Sequence, residues 1–452
     1  MFFRGCMGMF DEKQMLIELR EEKIQLFLNH IEQYDRNISS KLIAQGYRYM
    51  NRVCRTVMFT FGEVTFYRNR WYKQNTCYVP VDDYLGLDKY SRYSQEFLYK
   101  VGKLSTYTSY RKVVDIVKET LGLHITKDTI LKVCKTIGKI CDEKDDYRFH
   151  SADVPKEKIK ADTLYVEGDG LFVNTTNHTE QTHHTALTHF VVHEGNNTVS
   201  QNRKALVHKK NIISTKHLEA KRELVDYIYN TYHITDDTML ITNADNGVGY
   251  GVNFFKDIAK ACRIKRHEHF IDAYHINQKI RMMYATYPQD LKKKLLASIY
   301  TANKQAFVAA LDTTESLIED AEELKVFQEF ATKLKQIFRY IIPAHCRGLT
   351  DEHLSIGVME SQQRQISYRM KNRGMYWSVK GADTMAKMII SVSEGTLRDL
   401  FFGKWRQEYV KYTEYEDTAA ELIHQKLYHD HKESIIRGKI RNDNIRKGIN
   451  RE

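Results

Sequence analysis

The stretch Leu164-Tyr165-Val166-Glu167-Gly168-Asp169-Gly170-Leu171-Phe172-Val173 decides the predicted fold. Its apolar and aromatic residues predict a strand, and we expect Asp169 to end that strand between two glycines, which would let a large ligand approach the backbone closely. Hydrophobic patterning beyond this stretch predicts further strands and helices. The predicted strands are 183–193, 205–213, 237–245 and 267–272, and the predicted helices are 216–232 and 252–262.

This order of elements, β-β-β-α-β-α-β, is typical of a ribonuclease-H-like fold. Residues 276–345 are rich in Lys, Ala, Leu and Glu and are predicted to be helical throughout, and a last long helical region follows Gly357. The predicted fold class is therefore mixed, α+β and α/β, with a ribonuclease-H-like core.

The residues before this core are predicted to bind DNA. Residues 11–46 have helical periodicity, and residues 55–80 are rich in β-branched and aromatic residues around a glycine, which predicts a hairpin. A helix from Ser109 to Gly122 and a second helix capped by Thr126 form a helix-turn-helix pattern. The cations expected to contact DNA on these two helices are Arg111, Lys112, Lys127, Lys132 and Lys135.

The charge balance indicates a polyanionic partner. The chain has 452 residues and a net charge of +11, with 16 basic and 8 acidic residues at 51–141 and 7 basic and 3 acidic residues at 432–452. A solvated lysine face is the alternative interpretation. The hydrophobic content of 42% excludes a disordered chain. Without an apolar run long enough for a membrane span or a signal peptide, we expect a cytoplasmic protein, nucleoid-associated when active.

Seven cysteines are scattered without a Cys-x-x-Cys pair, which argues against a disulfide framework and a Cys-rich zinc site. Three acidic residues point to metal chemistry instead. Asp169 and Asp245 follow predicted strands, and Glu360 begins a predicted helix. Converging carboxylates bind hard cations, so we predict two Mg²⁺ or Mn²⁺ ions at these three residues. Turn roles for both aspartates and a helix N-terminal role for Glu360 are the alternatives, and Asp351 and Glu352 compete for the third position.

Asp272 and His275 form an Asp-x-x-His motif directly after the last predicted strand. His275 could orient the scissile phosphate or the attacking water. A strand-end aspartate hydrogen-bonded to the histidine is the alternative. Zinc binding by these two residues together with His267 and His269 is a further alternative.

Two more residues near Glu360 are candidate DNA contacts. Arg364 lies one helical turn after Glu360 and could bind a phosphate, or it could pair with Glu360 within the helix. Trp377 could stack on an unpaired base, or it could pack in the core.

The chain resembles the ISLre-type transposases of prokaryotic insertion sequences over nearly its whole length. The resemblance rests on the helix-turn-helix and on seven short segments: Thr65–Tyr72, Ser109–Lys112, Glu167–Gly170, Asn243–Gly247, Asp272–His275, Gly357–Ser361 and Lys371–Gly381. It implies a DDE transposase with Asp169, Asp245 and Glu360 as the catalytic triad and His275 beside it. It also implies a retroviral-integrase-like core with a helical insertion before the Glu360 helix.

We accordingly predict a Mg²⁺-dependent transposase that cuts element ends and joins 3′-hydroxyls to target DNA. Its partners would be double-stranded transposon ends and target DNA, bound by a homodimer or larger assembly. A structure-specific nuclease of the same fold and a domesticated, non-catalytic DNA-binding protein are the alternatives. The predicted domains are 1–50, 51–150, 151–275, 276–345 (the helical insertion), 346–420 and a basic tail at 421–452.

Overall fold

The computed structural model describes residues 11–74, 76–150, 157–176, 182–200, 203–349 and 354–413, so the basic tail and the residues Asp351 and Glu352 lie outside the described residues. The chain has a mixed helix and strand architecture, as predicted. No helix in the described part combines the length and apolarity needed to cross a membrane.

The N-terminal helix packs on a small antiparallel sheet. Asp11 begins the helix, because its carboxylate accepts hydrogen bonds from the backbone N–H groups of Lys13 and Gln14 at 3.0 and 3.1 Å. Ile31 of the helix is buried against Val57 and Phe66 of the sheet. The predicted helix and hairpin are thereby confirmed. The elements are α1 (Glu12–Ala44), β1 (Arg48–Phe59), β2 (Gly62–Lys73), β3 (Thr76–Tyr78) and α2 (Pro80–Tyr84).

Three helices follow, α3 (Gln95–Tyr107), α4 (Tyr110–Leu121) and α5 (Lys127–His150). Gly122 ends α4 with a φ of +59°, a conformation that glycine adopts without strain. The Thr126 hydroxyl accepts a hydrogen bond from the Thr129 N–H at 3.2 Å and so caps α5. Both helix boundaries at this turn agree with the sequence prediction, whereas α5 continues well past Cys141.

A five-stranded sheet forms the centre of the molecule, in the order β12-β11-β5-β6-β9. The strands β11 and β12 run parallel to β5, β6 runs antiparallel to β5, and β9 runs antiparallel to β6. This part of the chain contains β4 (Ile159–Lys160), β5 (Thr163–Thr176), β6 (Thr182–His193), β7 (Asn196–Ser200), β8 (Arg203–Leu206), β9 (Lys210–Ser214), α6 (His217–Thr231), β10 (Tyr232–His233), β11 (Met239–Ala244), α7 (Val252–Ala261) and β12 (Arg266–Ile271).

The prediction of one strand at 205–213 is wrong. The chain turns at His208, which has a φ of +46°, and so divides this segment between β8 and β9. The strand β8 pairs with β7 in a separate hairpin, whereas β9 joins the central sheet. The physical reason is the polar run from His208 to Asn211, which separates two short apolar groups.

Both faces of the central sheet are covered by helices. Leu164, Val166 and Phe190 pack against α6 and α7 on one face. Leu171 and Val173 pack on the other face, in a core shared with α3, α4, α5 and the C-terminal helices. Because side chains alternate along a strand, Glu167 and Asp169 point to this second face.

A helical insertion separates the last strand from the C-terminal helices, as predicted. It contains α8 (Ala273–Met283), α9 (Gln289–Tyr300), α10 (Lys304–Glu315), α11 (Ala321–Ile341) and a 3₁₀ turn at His345–Arg347. It has its own core, which includes Tyr284, Phe307 and Phe327. The C-terminal helices are α12 (Met359–Met370), α13 (Val379–Ser393) and α14 (Leu397–Phe402).

Candidate active site

Asp169 and Asp245 lie side by side on neighbouring strands. Ala244, the last residue of β11, is paired in parallel with Gly168 of β5. The next residue after Gly168 is Asp169, and the next residue after Ala244 is Asp245. Asp245 follows its strand, as predicted. Asp169 does not end its strand, because β5 continues to Thr176 through its pairing with β6. The neighbouring strand β11 ends at this level and leaves the Asp169 carboxylate accessible to the loop of Asp245.

The carboxylate of Asp169 is held by two hydrogen bonds. Its Oδ1 accepts from the Gly170 N–H at 2.7 Å, and its Oδ2 accepts from Nε2 of Gln363 at 3.1 Å. Burial raises the pKa of the Asp169 carboxyl above its usual range, and the charge of Asp245 adds to this rise in pKa. The hydrogen bonds from Gly170 and Gln363 and the charge of His275 act in the opposite direction. The pKa of Asp169 therefore depends on both Asp245 and His275.

Asp245 lies in a tight turn. Its Oδ1 accepts a hydrogen bond from the Gly247 N–H at 2.8 Å, and Asn246 between them has a φ of +62°. Asparagine tolerates this left-handed conformation better than most residues. Asp245 therefore has the turn role given as an alternative above, while its carboxylate also lies beside Asp169.

Gly168 has a packing role rather than the expected role in ligand approach. A Cβ atom at this position would lie 2.7 Å from Cε1 of Phe190 and 3.0 Å from Cδ1 of Tyr250. Any side chain here would displace the Phe190 ring, which is buried under the sheet. The glycine before Asp169 is thus required by the core.

The Asp272 carboxylate caps α8 rather than binding the His275 ring. It accepts hydrogen bonds from the backbone N–H groups of Tyr274 and His275 at 2.7 and 3.3 Å. The Asp272 N–H donates to the Ala244 carbonyl at 2.8 Å, which fixes the start of α8 next to Asp245. This arrangement places His275 in the first turn of α8, within electrostatic range of Asp169.

Glu360 lies in the first turn of α12 and is exposed. The residue of α12 that contacts Asp169 is Gln363, one turn further along the same face of the helix. Glu360 is thus about 4.5 Å along the helix axis from the contacting residue. The structure brings Asp169 and Asp245 together and leaves Glu360 beside them.

Glu167 fixes the start of α12, a role that the sequence interpretation missed. Its side chain is 1% exposed, and its Oε2 accepts hydrogen bonds from the N–H groups of Gly357 and Val358, both at 3.0 Å. These two groups precede α12, so a buried carboxylate fixes the start of the helix that carries Glu360. Alternation along β5, which places Glu167 on the face of Asp169, is the signal that could have revealed this role.

Two histidines of the zinc alternative are committed to another partner. Nε2 of His267 and Nδ1 of His269 lie 2.9 and 2.8 Å from the Thr242 hydroxyl. Burial lowers the pKa of His267 to about 4 and that of His269 to about 3, so both rings are neutral. Within the described residues, no group of three or more His, Cys, Asp or Glu side chains is arranged to hold a metal ion. This finding applies to the zinc alternative and to Asp169, Asp245 and Glu360 alike.

The donor chemistry of the aspartate pair nevertheless fits a hard divalent cation. Mg²⁺ is commonly held by one or two protein carboxylates, with water and substrate phosphate completing its shell. Asp169 and Asp245 supply two such carboxylates, and a bound cation would oppose the rise in the pKa of Asp169 that burial and the charge of Asp245 cause. The pair could therefore hold a cation, and Glu360 would have to move to join it.

The candidate DNA contacts near α12 differ in exposure. Arg364 is exposed and forms no ion pair with a described residue, so it does not pair with Glu360. Trp377 is buried in the core shared with α3 to α5, and its Nε1 donates to the Met370 carbonyl at 3.2 Å. Its ring is therefore not presented to a base, and the packing alternative describes Trp377 instead.

The cations expected on the helix pair are exposed. One face of α5 contributes Ile130, Val133 and Ile137 to the core, and the exposed side of its first half carries Lys127, Lys132 and Lys135 together with Asp128. The five cations named for DNA contact form no ion pair within the described part of the chain, whereas Lys144 and Arg148, further along α5, are paired with acidic side chains. The exposed cations are Arg111, Lys112, Lys127, Lys132 and Lys135.

The similarity to known proteins includes both the aspartate pair and the helices α4 and α5. The model of an uncharacterised protein family, UPF0236, matches residues 11–407. A Streptococcus gallolyticus protein, described as a UPF0236 protein in the vanSb 3′ region, is 28% identical to the chain over 398 residues. That match covers 85% of this chain and 82% of the relative.

Proposed function

The chain belongs to the uncharacterised protein family UPF0236, and we propose that it is a DNA transposase that cuts element ends and joins their 3′-hydroxyls to target DNA. The observation that carries the proposal is the pair formed by Asp169 and Asp245 on adjacent parallel strands. Two neighbouring carboxylates at a strand end are the arrangement that phosphodiester chemistry with divalent cations requires.

The sheet supports a ribonuclease-H-like core within this proposal. In order of their position in the chain, its strands lie 5-4-1-2-3 across the sheet, with the first three antiparallel and the last two parallel to the first. That order and those directions are the ones expected for such a core. The helical insertion between β12 and α12 agrees with the proposed transposase class.

In this function Asp169 and Asp245 would hold two Mg²⁺ or Mn²⁺ ions together with Glu360. When bound, the ions would activate the attacking hydroxyl and stabilise the leaving oxygen. Gln363 orients the Asp169 carboxylate through its amide, and His275, near Asp169, would orient the scissile phosphate or the attacking water. Arg364, exposed on the same helix, would bind a phosphate next to the site.

DNA binding is assigned to α4 and α5 in the same proposal. Their exposed and unpaired cations can neutralise phosphates, and every phosphate contact releases counterions. Double-stranded element ends and target DNA are the proposed partners, with a homodimer or larger assembly on DNA and a cytoplasmic location. These helices share one core with the central sheet, so the proposed DNA-binding surface and the aspartates belong to one packed body.

The test is strand joining with labelled duplexes that carry the terminal inverted repeats flanking the coding sequence. Wild-type protein with Mg²⁺ should join the labelled ends to a plasmid. Asp169→Ala should reduce joining by at least about 10³-fold, because it removes a cation ligand. Asp290→Ala is the control, since that carboxylate is 86% exposed in the helical insertion. Equal joining by Asp169→Ala and wild type would refute the site.

One observation favours a second candidate function. Glu360 lies outside the aspartate pair, as it would in a domesticated DNA-binding protein that has lost catalysis. In that case the duplex would bind, no joining would occur, and substitution of all three acids would leave biological activity intact. Cleavage of arbitrary branched DNA without preference for element ends would instead identify a nuclease.

A further inference from the structure

Helix α12 is fixed at both ends by buried charged side chains. Glu167 binds the backbone before its first turn, and Arg369 in its last turn donates from Nε to the Ser105 carbonyl at 2.8 Å. Glu167 is 1% exposed and Arg369 is 2% exposed. The helix therefore connects the strand of Asp169 with the end of α3, over about 18 Å.

Arg369 is a buried cation without a carboxylate partner among the described residues. Its Nη1 also has no hydrogen-bond partner there. Burying an unpaired charge is costly, so other groups must offset the loss of solvation. The guanidinium carbon lies 5.0 Å from the ring centroid of Trp377 and 5.9 Å from that of Tyr110, at the range of cation–π contacts.

The partner of Arg369 is the negative end of a helix dipole. Ser105 lies in the last turn of α3, where carbonyl groups carry partial negative charge. Arg373 adds a weaker contact, from its Nη1 to the Tyr107 carbonyl at 3.4 Å. Two guanidinium groups from the end of α12 therefore bind the end of α3.

The same contacts reach the candidate DNA surface. Tyr110, whose ring faces Arg369, is the first residue of α4, and Arg111 and Lys112 follow it directly. A shift of α4 on binding a duplex would therefore displace the guanidinium of Arg369 and the helix that carries it.

We propose that Arg369 is a positioning residue that couples the helix bearing Glu360 to the DNA-binding helices. The proposal rests on the function proposed above. In the structure Glu360 is exposed and is not grouped with the two aspartates in the way that a metal site requires. DNA bound to α4 and α5 moves α12 through Arg369 and so brings Glu360 to the two aspartates.

The experiment compares wild type, Arg369→Lys and the control Arg36→Lys. Lysine keeps the charge but lacks the planar guanidinium that contacts the Ser105 carbonyl and the two rings. Arg36 is exposed on α1 and pairs only with Glu32 of its own helix among the described residues, so it controls for the substitution itself. Hydrogen exchange over residues 359–370 is measured with and without the terminal-repeat duplex, together with duplex affinity, kcat and KM.

In wild type, the duplex should slow exchange in α12 and in the last turn of α3. Arg369→Lys should bind the duplex within about twofold of wild type but lose the slowing in α12. Its kcat should fall by about 10²-fold at unchanged KM, as expected for a misplaced catalytic group. The Arg36→Lys protein should match wild type in every measurement.

Unchanged exchange of α12 in wild type with bound duplex would overturn the proposal, and so would normal slowing and normal kcat in Arg369→Lys. If Arg369→Lys does not fold, Trp377→Phe, which reduces the aromatic surface under the guanidinium, replaces it, and the wild-type exchange result still decides.

Failure of the proposed transposase function can be distinguished from failure of the coupling through Arg369. A protein that binds the duplex but joins no strands refutes the transposase, while slowed exchange in α12 still supports the coupling. If no duplex binds, Arg369→Lys must speed exchange in α12 and in the last turn of α3 together. A change confined to α12 would overturn the coupling.

Discussion

The candidate site contains carboxylates on the sheet and a carboxylate on a helix, and the fold positions them differently. Asp169 and Asp245 are set by the parallel register of β5 and β11, and each accepts a backbone hydrogen bond from its own loop or strand. Glu360 depends on how α12 docks, which rests on Glu167 at one end and on Arg369 at the other.

The difference separates a fixed half of the site from an adjustable half. Sheet register can change only by breaking several ladder hydrogen bonds at once. A helix that docks through side chains, as α12 does through Ile366 and Met370 in the core and through Arg369, can shift by about 1–2 Å without breaking backbone ladder hydrogen bonds. The aspartate pair should therefore exist before DNA binds, whereas the position of Glu360 should depend on the ligand.

The largest expected effect distinguishes the two halves by cation binding. Asp245→Asn should weaken Mn²⁺ binding to the DNA-free protein by at least about 100-fold, since even substitutions outside the ligand shell cost 10–100-fold. Glu360→Gln should change this affinity by less than about threefold, because Glu360 is not yet a ligand. Calorimetric titration with Mn²⁺ measures both. Equal losses in the two variants would show that Glu360 already belongs to the fixed half.

A medium effect is expected on stability. Glu167→Ala leaves the Gly357 and Val358 N–H groups without their acceptor and should lower the free energy of unfolding by about 1–3 kcal/mol. Glu167→Gln keeps one acceptor oxygen and should lose less. Denaturant titration measures the change, with Glu63→Ala on the exposed face of β2 as the control. A Glu167→Ala protein as stable as this control would contradict the role of Glu167 in fixing α12.

The smallest expected effect is a shift in pH dependence. A cation binds the ionised carboxylate, so Mn²⁺ affinity falls as the pH drops through the pKa of Asp169. Burial raises this pKa, which places the fall at higher pH than for a free aspartate. Gln363→Met removes a hydrogen bond that lowers the pKa, so the fall should move to still higher pH. Mn²⁺ titrations across a pH series measure this. An unmoved pH profile would show that Gln363 does not orient Asp169.

Local signals predicted most of the secondary structure. Gly122 and Thr126 mark the turn between α4 and α5 because each has a conformation or a hydrogen bond that few other residues provide. The hairpin of β7 and β8 was missed, since residues 196–206 are mainly polar and show no clear apolar alternation. The packing of α3 to α5 on α13 depends on contacts between distant segments, which no local pattern reveals.

Only the site residues that lie on strands or directly follow them could be predicted from the sequence. Asp245 and Asp272 directly follow β11 and β12, and both lie where the carboxyl ends of these parallel strands meet. The sequence allows Trp377 either to stack on a base or to pack in the core, because an aromatic residue near basic residues has the same local pattern in both cases, and the structure buries it in the core. The roles of Glu167 and Arg369 require the position of α12, which is set by tertiary contacts alone.

The helical insertion has a consequence for folding order. Helices α8 to α11 form a core from residues close in sequence, and such local contacts form quickly. Until that core has formed, a long flexible segment separates β12 from α12, and closing it costs chain entropy. Compaction of the insertion shortens this loop before α12 docks on β5. A destabilised insertion should therefore slow maturation of the site while leaving its final geometry unchanged.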